Sequence, residues 1–175
     1  MTVQDNKLKP TIGGAALEVL TLSLDGHVFA LEAAYVREIL DLVPVTEMPS
    51  ASPFVSGLIN VRGKVVPLAD LRHKFGMEQR PSTIDTRIIV IEVDLDGDQT
   101  TIGVLADKVY EVTEIATAAI EDTPKIGMTW RQEYIRCIAK RGDDFIVVLD
   151  IDSIFSSGRR DKPELADTSI KRNAA

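Results

Sequence analysis

Short alternating apolar segments, tight turns centred on glycine, and an order of elements that recurs in both halves of the chain predict a mostly β fold. The expected architecture is two small barrels packed together, with short helices. The 175 residues allow one ordinary domain or two small barrels sharing a surface. Hydrophobic residues make up 45% of the chain but aromatics only 5%, so Val, Ile and Leu must fill the core, as suits many short strands.

Residues 16–157 carry the pattern. Val19 to Leu24 alternates, Asp25-Gly26 turns, and Val28 to Leu31 resumes, which reads as a hairpin. Over Glu32 to Leu40, the spacing of Val36, Ile39 and Leu40 predicts a short helix. Pro44 and Pro49 then keep the chain extended. Leu58–Val61 and Val65–Leu68 flank Arg62-Gly63 as a second hairpin, and Asp70 to Phe75 reads as a short helix closed by Gly76. A third hairpin runs from Arg87 to Val93, through Asp96-Gly97-Asp98, and back over Thr101 to Leu105. Val109 to Ile115 is a further strand. The fourth hairpin joins Ile135–Lys140 to Phe145–Leu149 through Arg141-Gly142-Asp143, and Asp150 to Phe155 closes as a helix.

Two features repeat: an Arg-Gly hairpin turn (Arg62-Gly63, Arg141-Gly142) and an Asp-led short helix (Asp70-Leu71, Asp150-Ile151). They divide the chain into barrel one, mainly 16–80, and barrel two, mainly 84–157, with room for a strand exchanged across the boundary. Residues 1–15 and 158–175 lack a sustained apolar face and read as a flexible arm and tail.

Composition excludes several functions. With 27 acidic against 20 basic residues and a formal charge of −7, no concentrated basic face is available for nucleic acid. Cys137 is the single cysteine, which fits a reducing compartment. No signal-like opening and no run near the ~20 apolar residues of a membrane span is present, so a cytoplasmic protein without membrane insertion is expected. The two histidines, His27 and His73, read as surface groups. No catalytic set, cofactor site or metal site is expected. Gly57 to Lys64 has one residue too many between its glycines for a phosphate loop, and Val65 replaces the metal-binding hydroxyl. Asp94, Asp96 and Asp98 imitate the start of a calcium loop, but Gly97 comes too early and no Glu closes it.

The segment Gly57 to Arg72 is dense in special-purpose residues. Gly63 serves the turn, Pro67 requires an edge or bulge, and Asn60 and Arg62 share one strand face. Arg62 either pairs with Asp70 or another carboxylate to pin the turn, or projects into a partner's groove.

Here the chain resembles the CheW family. The family's Gly, Asn-x-Arg-Gly, Pro and Asp-Leu-Arg signature is carried by Gly57, Asn60, Arg62, Gly63, Pro67, Asp70, Leu71 and Arg72. The similarity extends over about residues 17–156, through Phe29-Ala30-Leu31, a helix at Tyr35-Val36-Arg37-Glu38-Ile39, the stretch Gly103 to Val109, and Leu149-Asp150.

The resemblance implies two five-stranded barrels of the Src-homology-three type and a non-enzymatic chemotaxis scaffold. Such an adaptor couples methyl-accepting chemoreceptors to the histidine kinase CheA. It implies a receptor-facing groove between the barrels, carried over to Val36, Glu38, Arg62, Ile88, Val109 and Val112. It also implies a kinase-facing barrel end, carried over to Leu42, Val43, Ser56, Gly57 and Val65. Asn60, Gly63, Pro67 and Asp70 are expected to shape the turn. The implied partners are the receptor's cytoplasmic tip and the regulatory domain of CheA, with the chain a monomer when free and recruited to receptor arrays at the inner face of the membrane. The competing readings are an adaptor for another receptor–kinase pathway, a small-molecule-binding or enzymatic barrel, which needs a pocket with converging polar groups around Asp70 and Arg72, and a nucleic-acid-binding barrel.

Overall fold

The computed structural model describes residues 16–49, 54–124 and 131–157. The expected arm and tail lie outside the described residues. In chain order the strands are β1 (Ala16–Leu24), β2 (His27–Glu32), β3 (Val36–Asp41), β4 (Val55–Val61), β5 (Lys64–Ala69), β6 (Arg87–Leu95), β7 (Asp98–Ala106), β8 (Lys108–Ala116), β9 (Ile120–Glu121), β10 (Ile135–Arg141) and β11 (Asp144–Leu149). Helix α1 (Leu71–Lys74) follows β5 and α2 (Ile151–Ser157) follows β11, and 3-10 turns occupy Ala33–Tyr35, Thr117–Ala119 and Gln132–Tyr134.

All four expected hairpins form. The first three turn on two residues of positive φ, Asp25-Gly26, Arg62-Gly63 and Asp96-Gly97. That geometry matches the right-handed twist of the flanking strands. The Asp-led helices also form: Asp70 Oδ1 accepts from the Arg72 N–H, and Asp150 Oδ1 from the Ser153 N–H.

The expected helix over Glu32–Leu40 does not form. Only Ala33–Tyr35 makes a 3-10 turn, and Val36 to Asp41 is strand β3, with residues alternately half-buried and exposed. The run is too short for helical spacing to decide its structure. β6 offers an unpaired edge, and β3 joins it from Val36↔Ile91 to Asp41↔Arg87 with a bulge between Val36 and Glu38.

The strands make two sheets, ordered β8-β1-β2-β11-β10-β9 and β3-β6-β7-β5-β4. Neither follows the cut at residues 16–80 and 84–157. The opening hairpin β1–β2 sits among the late strands, and β6–β7 sits among the early ones. The exchange therefore involves whole hairpins, not one strand. Parallel pairings, β2 with β11 and β5 with β7, join each exchanged hairpin to its host.

Each sheet wraps a small core of its own. In the first barrel this contains Leu17, Val19, Ala30, Ile115, Cys137, Ala139, Ile146 and Val148. In the second it contains Ile59, Val61, Val66, Leu68, Ile88, Val90 and Leu105. Gly103 leaves space there: a Cβ would meet Ile59 and Ile88 at 3.1 Å. The other faces of the same strands meet in a larger shared core. Leu20, Leu22, Leu24, Phe29 and Leu31 from one sheet pack there with Ile89, Ile91, Val93, Ile102 and Val104 from the other. Both helices contribute, through Leu71 and Phe75 and through Ile151, Ile154 and Phe155. Strands buried on both faces read as continuous apolar runs, which explains the unbroken Ile88-Ile89-Val90-Ile91 of β6.

Ile89→Ala opens a void between the barrels and is expected to lower unfolding free energy by about 2–5 kcal/mol. Urea titration followed by far-ultraviolet circular dichroism checks this; a loss under about 1 kcal/mol would contradict the shared core's importance.

Candidate partner-binding faces

Arg62 occupies the β4–β5 turn at φ 53°, and the Gly63 N–H donates to Asn60 Oδ1 at 2.8 Å. The side chain of Asn60 thus ties the turn that presents Arg62. The Arg62 Nε and Nη2 groups donate to Glu38 Oε2 and Oε1 at 3.0 and 2.8 Å. This overturns the pairing of Arg62 with Asp70 and fits the broader expectation of a carboxylate partner. Because β3 and β4 are opposite edges of their sheet, the ion pair crosses the seam where that barrel closes. Arg141 is the last residue of β10, one position before the turn at Gly142-Asp143, and it donates to Glu111 on β8 at 2.6 Å. Hydrogen bonds from Arg62 hold the Glu38 carboxyl below its ordinary range.

Val36, on β3 rather than on a helix, packs half-buried against the shared core, and Val109 on β8 packs against the same core. Val112 is 56% exposed. These residues line edge strands of different sheets that flank one core. Ile88 is fully enclosed within the second barrel and leaves the surface set. Its apolar run hid this, since a strand buried on both faces gives no alternation to tell its sides apart.

The expected kinase-facing residues fall into two groups. Val43 and Val65 line a shallow depression of about 440 Å³ with Pro44, Thr46, Leu58 and Asn60. Leu42, Val45, Met48 and the 74%-exposed Val65 make this end of the barrel apolar. Ser56 is exposed on β4. Gly57 is buried, and its role is close approach: a Cβ would stand 2.5 Å from the Thr46 carbonyl oxygen. Thr46 and Leu58 exchange both backbone hydrogen bonds at 2.8 Å, so Gly57 lets the Pro44 segment lie along β4. Those bonds also explain Pro67 on an interior strand. Leu58 directs its backbone groups to Thr46, so Pro67, opposite it, owes β4 no N–H, and pairing to β7 begins only at Leu68. The sequence reading missed Val45 and Met48, which periodicity cannot find in a segment without regular structure.

Asp70 and Arg72 are buried and paired with each other, through Arg72 Nε to Asp70 Oδ1 at 2.9 Å and Nη2 to Oδ2 at 2.8 Å. Arg72 Nη1 also reaches Asp107 Oδ1 and the Arg80 carbonyl, both at 3.2 Å. Asp107 in turn accepts from the Asp25 N–H at 2.7 Å, and the Asp107 N–H donates to the Ser23 carbonyl. This network joins the turns of both sheets. Its buried members, Asp70 and Arg72, spend these hydrogen bonds within the network. His27 and His73 are exposed, Cys137 is buried, and among the described residues no group of three His, Cys, Asp or Glu could hold a metal.

Residues 18–159 match the family model described as a CheW-like domain. The Chemotaxis protein CheW of Rhizobium meliloti is 29% identical over 144 residues, covering 82% of this chain and 90% of that protein. That of Klebsiella aerogenes is 29% identical over 140 residues, covering 80% and 82%. The crystal structure of the scaffolding protein TtCheW from Thermoanaerobacter tengcongensis is similar at a TM-score of 0.70 and 31% identity, over 80% of this chain and 92% of that one. The two barrels are thus of the expected Src-homology-three type.

Glu38 has a lowered folded pKa, so stabilisation by its Arg62 pair is present above the unfolded value and is lost as pH falls through the folded one. Carboxyl-carbon NMR should give Glu38 a midpoint below that of an ordinary glutamate, and Arg62→Ala should return it upward. An unchanged midpoint in the variant would contradict the pairing.

Proposed function

This chain belongs to the CheW-like domain family, and on that premise we propose that it is a chemotaxis adaptor holding a chemoreceptor's cytoplasmic tip and the regulatory domain of CheA together. The family consists of non-enzymatic scaffolds. The receptor tip docks beside the shared core, against Val36, Glu38, Arg62, Val109 and Val112. The kinase domain docks on the apolar end formed by Leu42, Val43 and Val65, where Ser56 adds a polar rim and Gly57 sets the local backbone. The observation that carries this reading is the exposed apolar barrel end around Val65, alongside the edge-strand residues Val36, Val109 and Val112 beside the shared core. Exposed apolar surface with a polar rim is what a reversible protein contact uses.

Linking two partners through one rigid body raises their effective concentration without a chemical step. The adaptor is a monomer when free and works in the cytoplasm, recruited to receptor arrays at the inner face of the membrane. No helix among the described residues is long and apolar enough to cross a membrane.

Arg62→Glu should weaken binding of a receptor-tip fragment by about tenfold or more while leaving the CheA regulatory domain's affinity unchanged. Val65→Asp should do the reverse. Titration calorimetry with each purified partner reads both arms, with circular dichroism confirming the fold. Equal losses toward both partners, or none, would reject the assignment of faces.

A further inference from the structure

Thr21 is fully buried on β1, between Leu20 and Leu22 in the sequence. Its hydroxyl is engaged with the edge strand: Thr21 Oγ1 donates to the Glu111 carbonyl at 3.1 Å and accepts from the Glu111 N–H at 3.3 Å. That is the point where the β1–β8 ladder slips. Leu22 pairs with Val109, but Leu20 pairs with Val112, so Tyr110 and Glu111 together oppose the single residue Thr21. A bulge of this kind leaves backbone groups without ladder partners. The threonine hydroxyl supplies both a donor and an acceptor to them.

The slip decides which way the outer strand faces. Leu20 and Leu22 both point into the shared core, so their partners Val112 and Val109 lie on that same side of the sheet. Residues three apart cannot share a face on a regular strand. Continuing the Leu22↔Val109 register without a bulge would set Glu111 opposite Leu20 and turn Val112 inward, opposite Val19 of the first barrel's own core.

We infer that Thr21 is a positioning residue for receptor docking: by holding the Tyr110–Glu111 bulge, it sets Val109 and Val112 side by side on the face that flanks the shared core. This rests on the adaptor reading above. Thr21 touches no partner itself, and its role is separate from that of the apolar end around Val65.

The test compares Thr21→Val, which keeps shape and removes the hydroxyl, with Thr21→Ser, which keeps the hydroxyl. Both are titrated with a receptor-tip fragment and with the CheA regulatory domain. Thr21→Val should lose about tenfold in receptor affinity, the scale of losing the two part-buried hydrogen bonds that the Thr21 hydroxyl makes to the Glu111 backbone. Thr21→Ser should retain binding, and neither change should alter kinase affinity. Unchanged receptor binding by Thr21→Val, or an equal loss toward both partners, overturns the inference. Methyl and amide NMR of the unaltered chain gives a second arm that does not depend on a variant's folding. Adding the receptor fragment should shift the methyl groups of both Val109 and Val112, and a response from only one of them overturns the shared-face arrangement. Failure of the unaltered chain to bind the fragment overturns the adaptor reading and this inference together. Binding by the unaltered chain with no effect of Thr21→Val overturns the inference alone.

Discussion

Two hairpins in this molecule have no face to spare. β1–β2 and β6–β7 each bury one side in a small barrel core and the other in the core between the barrels. Each has also crossed to the barrel built mainly by the opposite half of the chain. A barrel of this size encloses few side chains and would be marginal by itself. The shared core removes that difficulty, and its consequence is geometric: neither barrel can rotate against the other without exposing Leu, Ile and Phe side chains.

Polar contacts complete what the apolar core begins. The buried Asp70–Arg72 pair reaches Asp107 and, through it, the Asp25 turn of the other sheet. Breaking such a pair by removing one member strands a buried charge and is strongly destabilising. At the surface, Arg62 pairs with Glu38 between the two edge strands of one sheet, and Arg141 on β10 pairs with Glu111 on the edge strand β8 of the other. Surface pairs of this type contribute little energy individually. Arg62 is the more exposed of the two arginines.

Much of this was legible in the sequence. Each hairpin announced itself through a glycine turn between alternating residues, and the Arg-Gly and Asp-led repeats foretold paired barrels. The partition of strands between barrels was not legible, because parallel pairings such as β2 with β11 leave no local mark. The segment after Glu32 misled because a few residues of helical spacing also fit a bulged edge strand, and pairing with β6 decides between them. Among the site residues, Arg62, Val65 and Val112 stand exposed as a contact surface requires, while Ile88 was indistinguishable from its neighbours in a run buried on both sides. Thr21 gave no signal at all, since a threonine in a strand is ordinary until its partner across the ladder is known.

An adaptor of this kind holds two proteins at once on one rigid body. Sedimentation velocity of the chain mixed with a receptor-tip fragment and the CheA regulatory domain tests whether this chain does so. A ternary species containing all three components is expected, with each partner bound whether or not the other is present. Mutually exclusive binding, in which one partner displaces the other from the chain, would contradict it.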